Sequence, residues 1–563
     1  MTDPAPHTPV LPAGDGAPTV HGAPADRAAS FHDGASADHA ASADDGAPSE
    51  ASANTVGALV QRAVARNGGA TALLFEDRRW SYRELGDAVR RVARRLVDAG
   101  LSPGSRVAAF GVNSDVYAIL YLACAQAGLV HVPVNFALKG DELAYVLEDS
   151  GATTVIADPE LLPLVARVRD SGRARAVERV LSMLPGDDDT SLQETALDPR
   201  ADDATVPDVV RDHDLLQLLY TSGTTSAPKG AMMTHAALMA EYTSAIIALD
   251  LAAEDRPLVA MPLYHSAAMH VFLLPYLALG AAVRVTRKPD IAEILQLVEE
   301  EHVGSLFLAP TVWVPLSNHP DLETRDLSSL RKAQYGASIM PVTVLQRLRS
   351  RYPGIGFYNC FGQSELGPLC TVLAPAEHDA RPASCGRPVF NLEARVVTPD
   401  GRPAAPGEPG EIQYRSPQLL TGYWNKPEAT SDAFVDGWFR SGDQVVQDEQ
   451  GYIQVVDRIK DVINTGGVLV APREIEDCIY ELPDVAEVAV VGLPDERWIE
   501  AVTAVIVPKE GSELTAESVR SHVKARLADY KVPKRVDFVA ELPRNQSGKL
   551  LKRELRAERT NPA

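Results

Sequence analysis

The chain is organised around one segment, Tyr220-Thr221-Ser222-Gly223-Thr224-Thr225-Ser226-Ala227-Pro228-Lys229-Gly230, which directly follows the mostly apolar run 215–219. The apolar run predicts a buried strand. In the segment after it, the two glycines allow a tight turn that brings backbone N–H groups close to anionic oxygens. The Ser and Thr hydroxyls add donors, and Lys229 adds a positive charge. We therefore interpret this segment as a loop that binds phosphate, and we call it the phosphate loop.

The phosphate loop differs from the loop of P-loop NTPases. Their pattern, G-x-x-x-x-G-K-[ST], places glycine before the lysine and Ser or Thr after it. Here Pro228 precedes Lys229 and Gly230 follows it. A polar surface loop is the simplest alternative, but the density of hydroxyl groups directly after a buried strand favours phosphate binding.

The length and composition of the chain limit the classes of protein that it fits. With 563 residues and a mass of 60.5 kDa it is too long for one hydrophobic core, so we expect two or more domains. The net charge of −22 disfavours nucleic acid and anionic membranes as partners. The five cysteines are scattered without a C-x-x-C pair, which favours a reducing cytoplasm. The sequence lacks an apolar run of about 18 residues and a signal-peptide pattern, which predicts a soluble protein without a transmembrane segment.

Strand and helix patterns alternate before the phosphate loop. In chain order they are a strand at 106–110, a helix at 114–127, a strand at 130–134, a helix at 141–150 and a strand at 153–157. Such alternation predicts parallel sheets covered by helices, and therefore an α/β fold.

Two stretches depart from this alternation. Residues 1–54 are rich in Ala, Asp, Ser, Pro and Gly, and they cannot bury enough apolar surface to offset the entropy lost on ordering. We expect this tail to be disordered. Residues 184–212 are acidic and lack periodicity, which predicts a surface connection.

Several motifs follow the phosphate loop, and their order is informative. They are Pro262-Leu263-Tyr264-His265-Ser266, Gly336-Ala337-Ser338, Tyr358-Asn359-Cys360-Phe361-Gly362-Gln363-Ser364-Glu365, Trp438-Phe439-Arg440-Ser441-Gly442-Asp443 and Leu542-Pro543-Arg544-Asn545-Gln546-Ser547-Gly548-Lys549. With the phosphate loop, they resemble the signatures of the adenylate-forming enzymes, which include acyl-CoA synthetases, beetle luciferases and peptide-synthetase adenylation domains. The resemblance covers residues 56–558. Two positions depart from it, since Ser226 replaces a glycine and Ser364 replaces a threonine.

The resemblance implies a site for ATP and Mg²⁺. It places Phe361 against the adenine, Asp443 on the ribose hydroxyls and Glu365 on the metal. The ATP-binding residues that it implies are Thr221, Ser222, Gly223, Thr224, Thr225, Lys229, Gly336, Ala337, Ser338, Phe361, Gly362, Ser364, Asp443, Arg458 and Lys549. The catalytic residues that it implies are Thr225, Lys229, Glu365 and Lys549.

The Pro-x-aromatic-His motif at 262–265 is similar to the family's acyl site. In peptide-synthetase adenylation domains an aspartate follows the aromatic residue and pairs with the substrate amine. His265 stands in that place here, so an amino-acid substrate is disfavoured. The acid-binding residues that we expect are His265, Ala267, Met269, Val312, Trp313 and Gly336. Because this wall is apolar, it favours a medium- or long-chain fatty acid, and an aryl acid such as a cinnamate or benzoate is the second choice.

The resemblance also implies a large N-terminal domain and a smaller, mobile C-terminal domain. Residues 55–458 would bind ATP and the acid, and Lys460 would be the hinge within 459–461. Residues 462–558 would form the catalytic-lysine domain, followed by a short tail at 559–563. Rotation about the hinge would remove Lys549 from the site and bring in the Gly466-Gly467 loop for the second step.

We therefore expect an AMP-forming acyl-CoA synthetase. It would convert a carboxylic acid to an acyl-adenylate with release of pyrophosphate, and then transfer the acyl group to coenzyme A. An acyl carrier protein is the alternative acceptor, and the sequence is compatible with a homodimer. The alternative from another class is a catalytically dead nucleotide-binding protein. Such a protein would not need to keep Thr225, Lys229, Glu365, Asp443, Arg458 and Lys549 together.

Overall fold

The computed structural model describes most of the chain after the first 53 residues. The described residues are 54–186, 191–199, 206, 209–221, 227–338, 340–459, 461–465, 468–495, 497–544 and 550–560. They belong to one compact unit, Ala51–Ala563. Several predictions concern residues outside this set: the disordered tail before Asn54, phosphate-loop residues 222–226, the hinge Lys460, the Gly466-Gly467 loop and Lys549.

The helices lie throughout the described chain. They are α1 (Val56–Asn67), α2 (Tyr82–Asp98), α3 (Asp115–Ala127), α4 (Gly140–Ser150), α5 (Leu162–Asp170), α6 (Leu192–Leu197), α7 (His235–Ala248), α8 (Leu274–Leu279), α9 (Ile291–Glu300), α10 (Pro310–Leu316), α11 (Val342–Arg351), α12 (Pro427–Ala433), α13 (Pro472–Tyr480), α14 (Ala516–Lys524) and α15 (Lys552–Thr560). A π-helical segment, Ala267–Leu273, directly precedes α8. Among the described residues, no helix is long and apolar enough to cross a bilayer.

The strands alternate with these helices. They are β1 (Thr71–Phe75), β2 (Arg78–Ser81), β3 (Arg106–Phe110), β4 (Val130–Val134), β5 (Thr154–Ala157), β6 (Arg179–Ser182), β7 (Leu215–Thr221), β8 (Lys229–Thr234), β9 (Pro257–Val259), β10 (Val283–Val285), β11 (Ser305–Leu308), β12 (Lys332–Gly336), β13 (Gly356–Gly362), β14 (Leu369–Leu373), β15 (Arg387–Pro388), β16 (Glu393–Val397), β17 (Gly410–Arg415), β18 (Phe434–Val435), β19 (Trp438–Gln447), β20 (Ile453–Arg458), β21 (Ile463–Thr465), β22 (Val468–Val470), β23 (Val485–Asp495), β24 (Ile499–Pro508) and β25 (Arg535–Phe538).

Two large sheets build the N-terminal part of the molecule. One has the strand order β6-β5-β3-β4-β7-β8, and the other has the order β15-β14-β13-β12-β11-β9-β10-β1-β2. Strands β3 to β7 pair in parallel, as do β9 to β13, while β8, β14, β15 and β2 pair antiparallel at the margins. The α/β fold predicted from the sequence is confirmed. The carboxyl ends of β11, β12 and β13 meet at one edge because these strands run in parallel.

The predicted strands and helices before the phosphate loop agree with the observed bounds to within about one residue. One prediction was wrong, since 184–212 is not only a surface connection: α6 lies in it. Ser191 accepts a hydrogen bond from Glu194 N, and Glu194 accepts one from Ser191 N, which is a capping box. Leu192 and Ala196 of this helix are buried, and Arg91 donates to Ala196 O.

Two smaller sheets follow. One has the order β16-β17-β19-β18 with β20 beside β19, and the other has the order β22-β21-β24-β23 with β25 beside β24. The two larger hydrophobic cores take their residues from 56–455, and the two smaller cores take theirs from 463–555. The molecule therefore has a large N-terminal domain and a smaller C-terminal domain. The hinge at 459–461 stays a prediction that fits this division.

Candidate active site

The phosphate loop joins two paired strands, and side chains from elsewhere in the chain contact both of its ends. Thr221 at the end of β7 lies opposite Lys229 at the start of β8. Tyr145 O–H donates to Pro228 O over 2.9 Å, and Tyr220 O–H donates to Asp149 Oδ2 over 2.9 Å. Lys426 Nζ forms an ion pair with Asp149 Oδ1 at 2.5 Å. These contacts hold both ends of the loop in a defined position, although sequence analysis did not single out Tyr145, Asp149 or Lys426.

The Glu365 carboxylate lies against the start of the phosphate loop. Glu365 is part of a short 3-10 turn after β13 and is only 9% exposed. Its Oε1 accepts hydrogen bonds from Thr221 Oγ1 and from Tyr423 O–H, each at 3.2 Å. Lys229 Nζ lies 5.0 Å from the centre of the Tyr423 ring. The fold thus brings together a carboxylate, a hydroxyl and a cation that the sequence predicted to share one site.

This donor set fits a magnesium ion that arrives with a nucleotide. Among the described residues, both hydrogen bonds to Glu365 fall on Oε1, which leaves Oε2 as a hard oxygen ligand. Mg²⁺ is commonly held by one or two carboxylates together with substrate phosphates. The neighbouring Lys229 would supply a second positive charge for the same phosphates.

The segment 262–266, which we call the acyl motif, contacts the turn that carries Glu365. Ser266 Oγ lies 2.9 Å from Ser364 Oγ. Asn113 holds the backbone that leads into the motif: its Oδ1 accepts from Leu263 N over 2.7 Å, and its Nδ2 lies 3.0 Å from Met261 O. Because Asn113 is buried and satisfies backbone groups on both sides of Pro262, it fixes the approach to Tyr264 and His265. Sequence analysis did not identify Asn113.

The predicted acid-binding residues lie in different environments. His265, Ala267 and Val312 are half-buried, whereas Met269 and Trp313 are buried in the core. The Trp313 Nε1–H donates to Gln334 O over 3.0 Å, and its ring packs against Phe357 with 5.9 Å between ring centres. Trp313 also lines an internal cavity of about 20 Å³ together with leucines. These contacts are those of a core residue, and its predicted role in the acid pocket stays a prediction.

The predicted adenine-binding segments follow two neighbouring strands. Gly336 ends β12 opposite Cys360 of β13, and a Cβ at Gly336 would lie 2.1 Å from Cys360 O, so only glycine fits there. Ala337 follows with a φ of 64°, in the left-handed region, and is exposed. Phe361 and Gly362 end β13. Both segments therefore lie at the carboxyl edge of the sheet, where ligands bind in open parallel sheets.

Asp443 and Arg458 form a pair on adjacent strands. They lie opposite each other in β19 and β20, and Arg458 Nε is 2.6 Å from Asp443 Oδ1. The Asp443 side chain is buried and that of Arg458 is about one-third exposed, at 34%. The family resemblance implies that both residues bind ATP, and the structure adds that the guanidinium orients the carboxylate.

A buried chain of hydrogen bonds joins β7, the strand before the phosphate loop, to the π-helical segment Ala267–Leu273 that follows the acyl motif. Gln217 of β7 is 2.7 Å from His270 Nε2 and 3.0 Å from His131 Nδ1. His270 Nδ1 lies 3.0 Å from the Tyr242 hydroxyl. Burial lowers the pKa of His131 and of His270 from 6.5 to about 3, so both rings are neutral at pH 7. In this state His270 Nε2–H donates to Gln217, and its Nδ1 accepts from Tyr242.

These histidines predict a loss of stability in acid. The unfolded chain binds protons between pH 6.5 and pH 3 that the folded chain excludes, so the free energy of unfolding falls as the pH drops through that window. From pH 7 to pH 5 we expect a loss of about 2 kcal/mol for each histidine. The measurement is Tm against pH. His131→Asn, which keeps an acceptor for Gln217, should show a smaller fall than the unaltered protein, and an equal fall would contradict the assignment.

Two family models match this chain, one in the N-terminal domain and one in the C-terminal domain. The family model described as AMP-binding enzyme matches residues 60–424, and the model for the AMP-binding enzyme C-terminal domain matches residues 474–549.

Relatives match along most of their length. A feruloyl-CoA synthase from Amycolatopsis sp is 40% identical over 494 residues, which cover 88% of this chain and 95% of the relative. An indoleacetate–CoA ligase from Aromatoleum aromaticum is 34% identical over 88% of this chain and 96% of its own. The medium/long-chain-fatty-acid–CoA ligase FadD8 from Mycobacterium tuberculosis is 34% identical over 89% of each chain.

Solved structures also resemble this chain over most of its length. ATP-bound MatB from Rhodopseudomonas palustris has a TM-score of 0.80 at 30% identity, over 90% of this chain and 99% of its own. The anthranilate CoA ligase AuaEII in complex with anthranoyl-AMP has a TM-score of 0.81 at 25% identity, over 89% of this chain and 96% of its own.

Proposed function

The chain belongs to the family of AMP-binding enzymes, the adenylate-forming enzymes whose motifs it carries, and from this membership we propose that it activates an aryl acid and transfers it to coenzyme A. It is an AMP-forming acid–thiol ligase of the acyl- and aryl-CoA ligase class. The proposal of an aryl acid reverses the preference for a fatty acid that the apolar wall indicated.

Two observations support an aryl acid. The feruloyl-CoA synthases share more of their sequence with this chain than the fatty-acid ligase FadD8 does. In addition, the segment 262–266 carries aromatic rings and contacts another: Phe136 meets Tyr264 edge to face with 5.6 Å between ring centres, and Tyr264 lies 5.7 Å from the His265 ring. Flat rings in such arrangements favour another flat ring over a flexible alkyl chain.

The first half-reaction joins the acid to AMP. A carboxylate oxygen attacks the α-phosphorus of ATP, the bond to the β-phosphate oxygen breaks, and pyrophosphate leaves. Mg²⁺ bound with ATP would neutralise charge on the phosphates. Thr221 and Tyr423 orient Glu365, which would hold that metal, and Lys229 beside Tyr423 would bind the leaving pyrophosphate. Lys549 would stabilise the reacting oxygens, as the family resemblance implies.

The second half-reaction releases AMP. The thiolate of coenzyme A attacks the carbonyl carbon of the acyl-adenylate, and the bond to the phosphate oxygen breaks. The hinge at Lys460 and the Gly466-Gly467 loop would serve this step through a rotation of the C-terminal domain. One site would thus catalyse two reactions in sequence.

The first test is a comparison of acids. With ATP and coenzyme A present, we expect kcat/KM for ferulate or cinnamate to exceed that for octanoate and palmitate at least tenfold, because a preformed aromatic wall stacks on a flat ring. Pyrophosphate release and thioester formation are both followed, and α-amino acids serve as the negative control. A higher kcat/KM for octanoate or palmitate would return the assignment to a fatty-acid ligase.

A surface of the C-terminal domain supports coenzyme A as the acceptor. The Trp498 ring has two cations near it, with the Arg497 guanidinium 4.9 Å and Lys534 Nζ 5.0 Å from its centre. Arg497 is exposed and Trp498 half-buried. An aromatic ring with two cations beside it is suited to the adenine and phosphates of a nucleotide. A carrier protein, which is the alternative acceptor, presents only a phosphopantetheine arm without that nucleotide.

Lys534→Ala tests this surface. We expect the KM for coenzyme A to rise about tenfold, because one cation close to the phosphates is lost, a change of about 1.4 kcal/mol. Acid-dependent pyrophosphate release without coenzyme A should stay unchanged. Lys524→Ala, an exposed lysine on α14, is the matched control. If both variants change the KM equally, or neither does, Trp498 and Lys534 are not part of the coenzyme A site.

A further inference from the structure

One buried carboxyl group has no role in the scheme above. Glu241 of α7 is 0% exposed. Its Oε1 accepts a hydrogen bond from Leu369 N over 3.0 Å, and its Oε2 accepts one from Gln418 Nε2 over 2.8 Å. Burial raises the pKa of Glu241 well above its usual value. Burying a polar group is costly unless it is hydrogen-bonded, so these two bonds fix Glu241 against its partners.

Gln418 extends the contact of Glu241 to the main chain. It is also fully buried, and its Nε2 lies 2.9 Å from Leu366 O and 2.8 Å from Leu369 O. Its Oε1 accepts from Ser244 Oγ over 3.0 Å. Glu241 and Gln418 together therefore bind backbone groups on both sides of Gly367-Pro368.

The segment that they hold is the turn that carries Glu365. Gly367 has a φ of 93°, and a Cβ there would lie 3.0 Å from Glu241 Cβ, so α7 packs directly against the turn. Gln363 N donates to Pro368 O over 3.0 Å, which closes the turn, and Leu420 N donates to Glu365 O over 2.8 Å. A shift of the turn at Leu366 would therefore move the neighbouring Glu365 carboxylate away from Thr221.

We propose that Glu241 and Gln418 are positioning residues for adenylation. Their hydrogen bonds hold turn 363–369 so that Glu365 faces the phosphate loop. The inference rests on the proposed function of Glu365 as the ligand of the metal that accompanies ATP. It adds that the strength of metal binding depends on two buried side chains that do not touch ATP or the metal.

The test uses the full chain with Glu241→Leu and Gln418→Leu, in each of which a hydrophobic side chain replaces the polar one. We expect the Mg²⁺ concentration for half-maximal pyrophosphate release to rise at least tenfold. Thioester formation from supplied aryl-AMP and coenzyme A needs no metal at Glu365 and should stay within about twofold. Asp255→Asn is the matched control. It loses a half-buried ion pair with Lys332 at the opposite end of β9 and β12, so it should lower Tm without changing the Mg²⁺ requirement.

The outcomes separate this inference from the proposed function. If Glu365→Gln raises the Mg²⁺ requirement and folded Gln418→Leu does not, the positioning role is wrong while the metal role of Glu365 stands. If Glu365→Gln also leaves the requirement unchanged, the metal role itself fails. Should both leucine variants not fold, Ser244→Ala removes the donor to Gln418 Oε1, together with the acceptor of Asn391 N, and leaves Glu241 and Gln418 in place. It should raise the requirement about threefold, and no rise in a folded protein would overturn the inference.

Discussion

We expect Lys549→Ala to slow acyl-adenylate formation by two or more powers of ten. The resemblance places this lysine on the reacting acyl and phosphate oxygens during adenylation, where its charge would stabilise the transition state. Loss of such a preorganised group costs about 3 kcal/mol or more. ATP binding should change only a few-fold, because the phosphate loop, Asp443 and Arg458 remain. Thioester formation from supplied aryl-AMP should be nearly unaffected, since the domain rotation removes Lys549 before that step.

The two half-reactions are measured separately for this variant. Pyrophosphate release reports adenylation, and thioester formation from chemically made aryl-AMP reports the transfer. Lys509→Ala, an exposed lysine of the same domain, controls for the loss of one positive charge. Equal impairment of both half-reactions in Lys549→Ala would contradict a role confined to adenylation.

We expect Glu365→Gln to reduce pyrophosphate release about a hundredfold and to raise the Mg²⁺ concentration that is required. The amide oxygen can still accept from Thr221 and Tyr423, so the local fold should persist, but the charge that attracts the metal is lost. The reduction corresponds to about 3 kcal/mol of lost electrostatic stabilisation. Steady-state pyrophosphate release over a range of Mg²⁺ concentrations provides the measurement.

Tyr423→Phe is the matched control for this prediction. It removes one of the two hydrogen bonds to Glu365 and keeps the charge and the ring beside Lys229. Its effect should be only a few-fold. The metal role of Glu365 is excluded if Glu365→Gln shows the Mg²⁺ dependence of the unaltered protein, or if the two variants behave alike.

Much of the fold could be predicted because its signals are local. Apolar runs such as 106–110 and 130–134 predicted buried parallel strands, since a strand covered on both faces needs a continuous apolar stretch. Helix α6 was missed although its capping box is also local, because the acidic residues around Ser191 and Glu194 masked a six-residue helix. Short helices give too few turns for a periodic pattern.

The candidate site was only partly predictable, because many of its contacts join distant residues. Thr221 and Glu365 were both identified by motifs, and the structure brings them to 3.2 Å. Asn113, Asp149 and Glu241 carry no motif, and their partners lie far away along the chain. Trp313 follows a strand, which predicted a pocket wall; the structure shows that its side chain is buried, and its role in the acid pocket stays a prediction.

The central claim is that the acid is activated through an acyl-adenylate, and transfer of labelled oxygen tests it most directly. Ferulate with ¹⁸O in its carboxyl group is incubated with ATP, Mg²⁺ and coenzyme A, and the AMP is analysed by mass spectrometry. If the carboxylate attacks the α-phosphate and the thiol then displaces AMP, each AMP carries one ¹⁸O from the acid. AMP without ¹⁸O, with thioester still formed, would contradict the account.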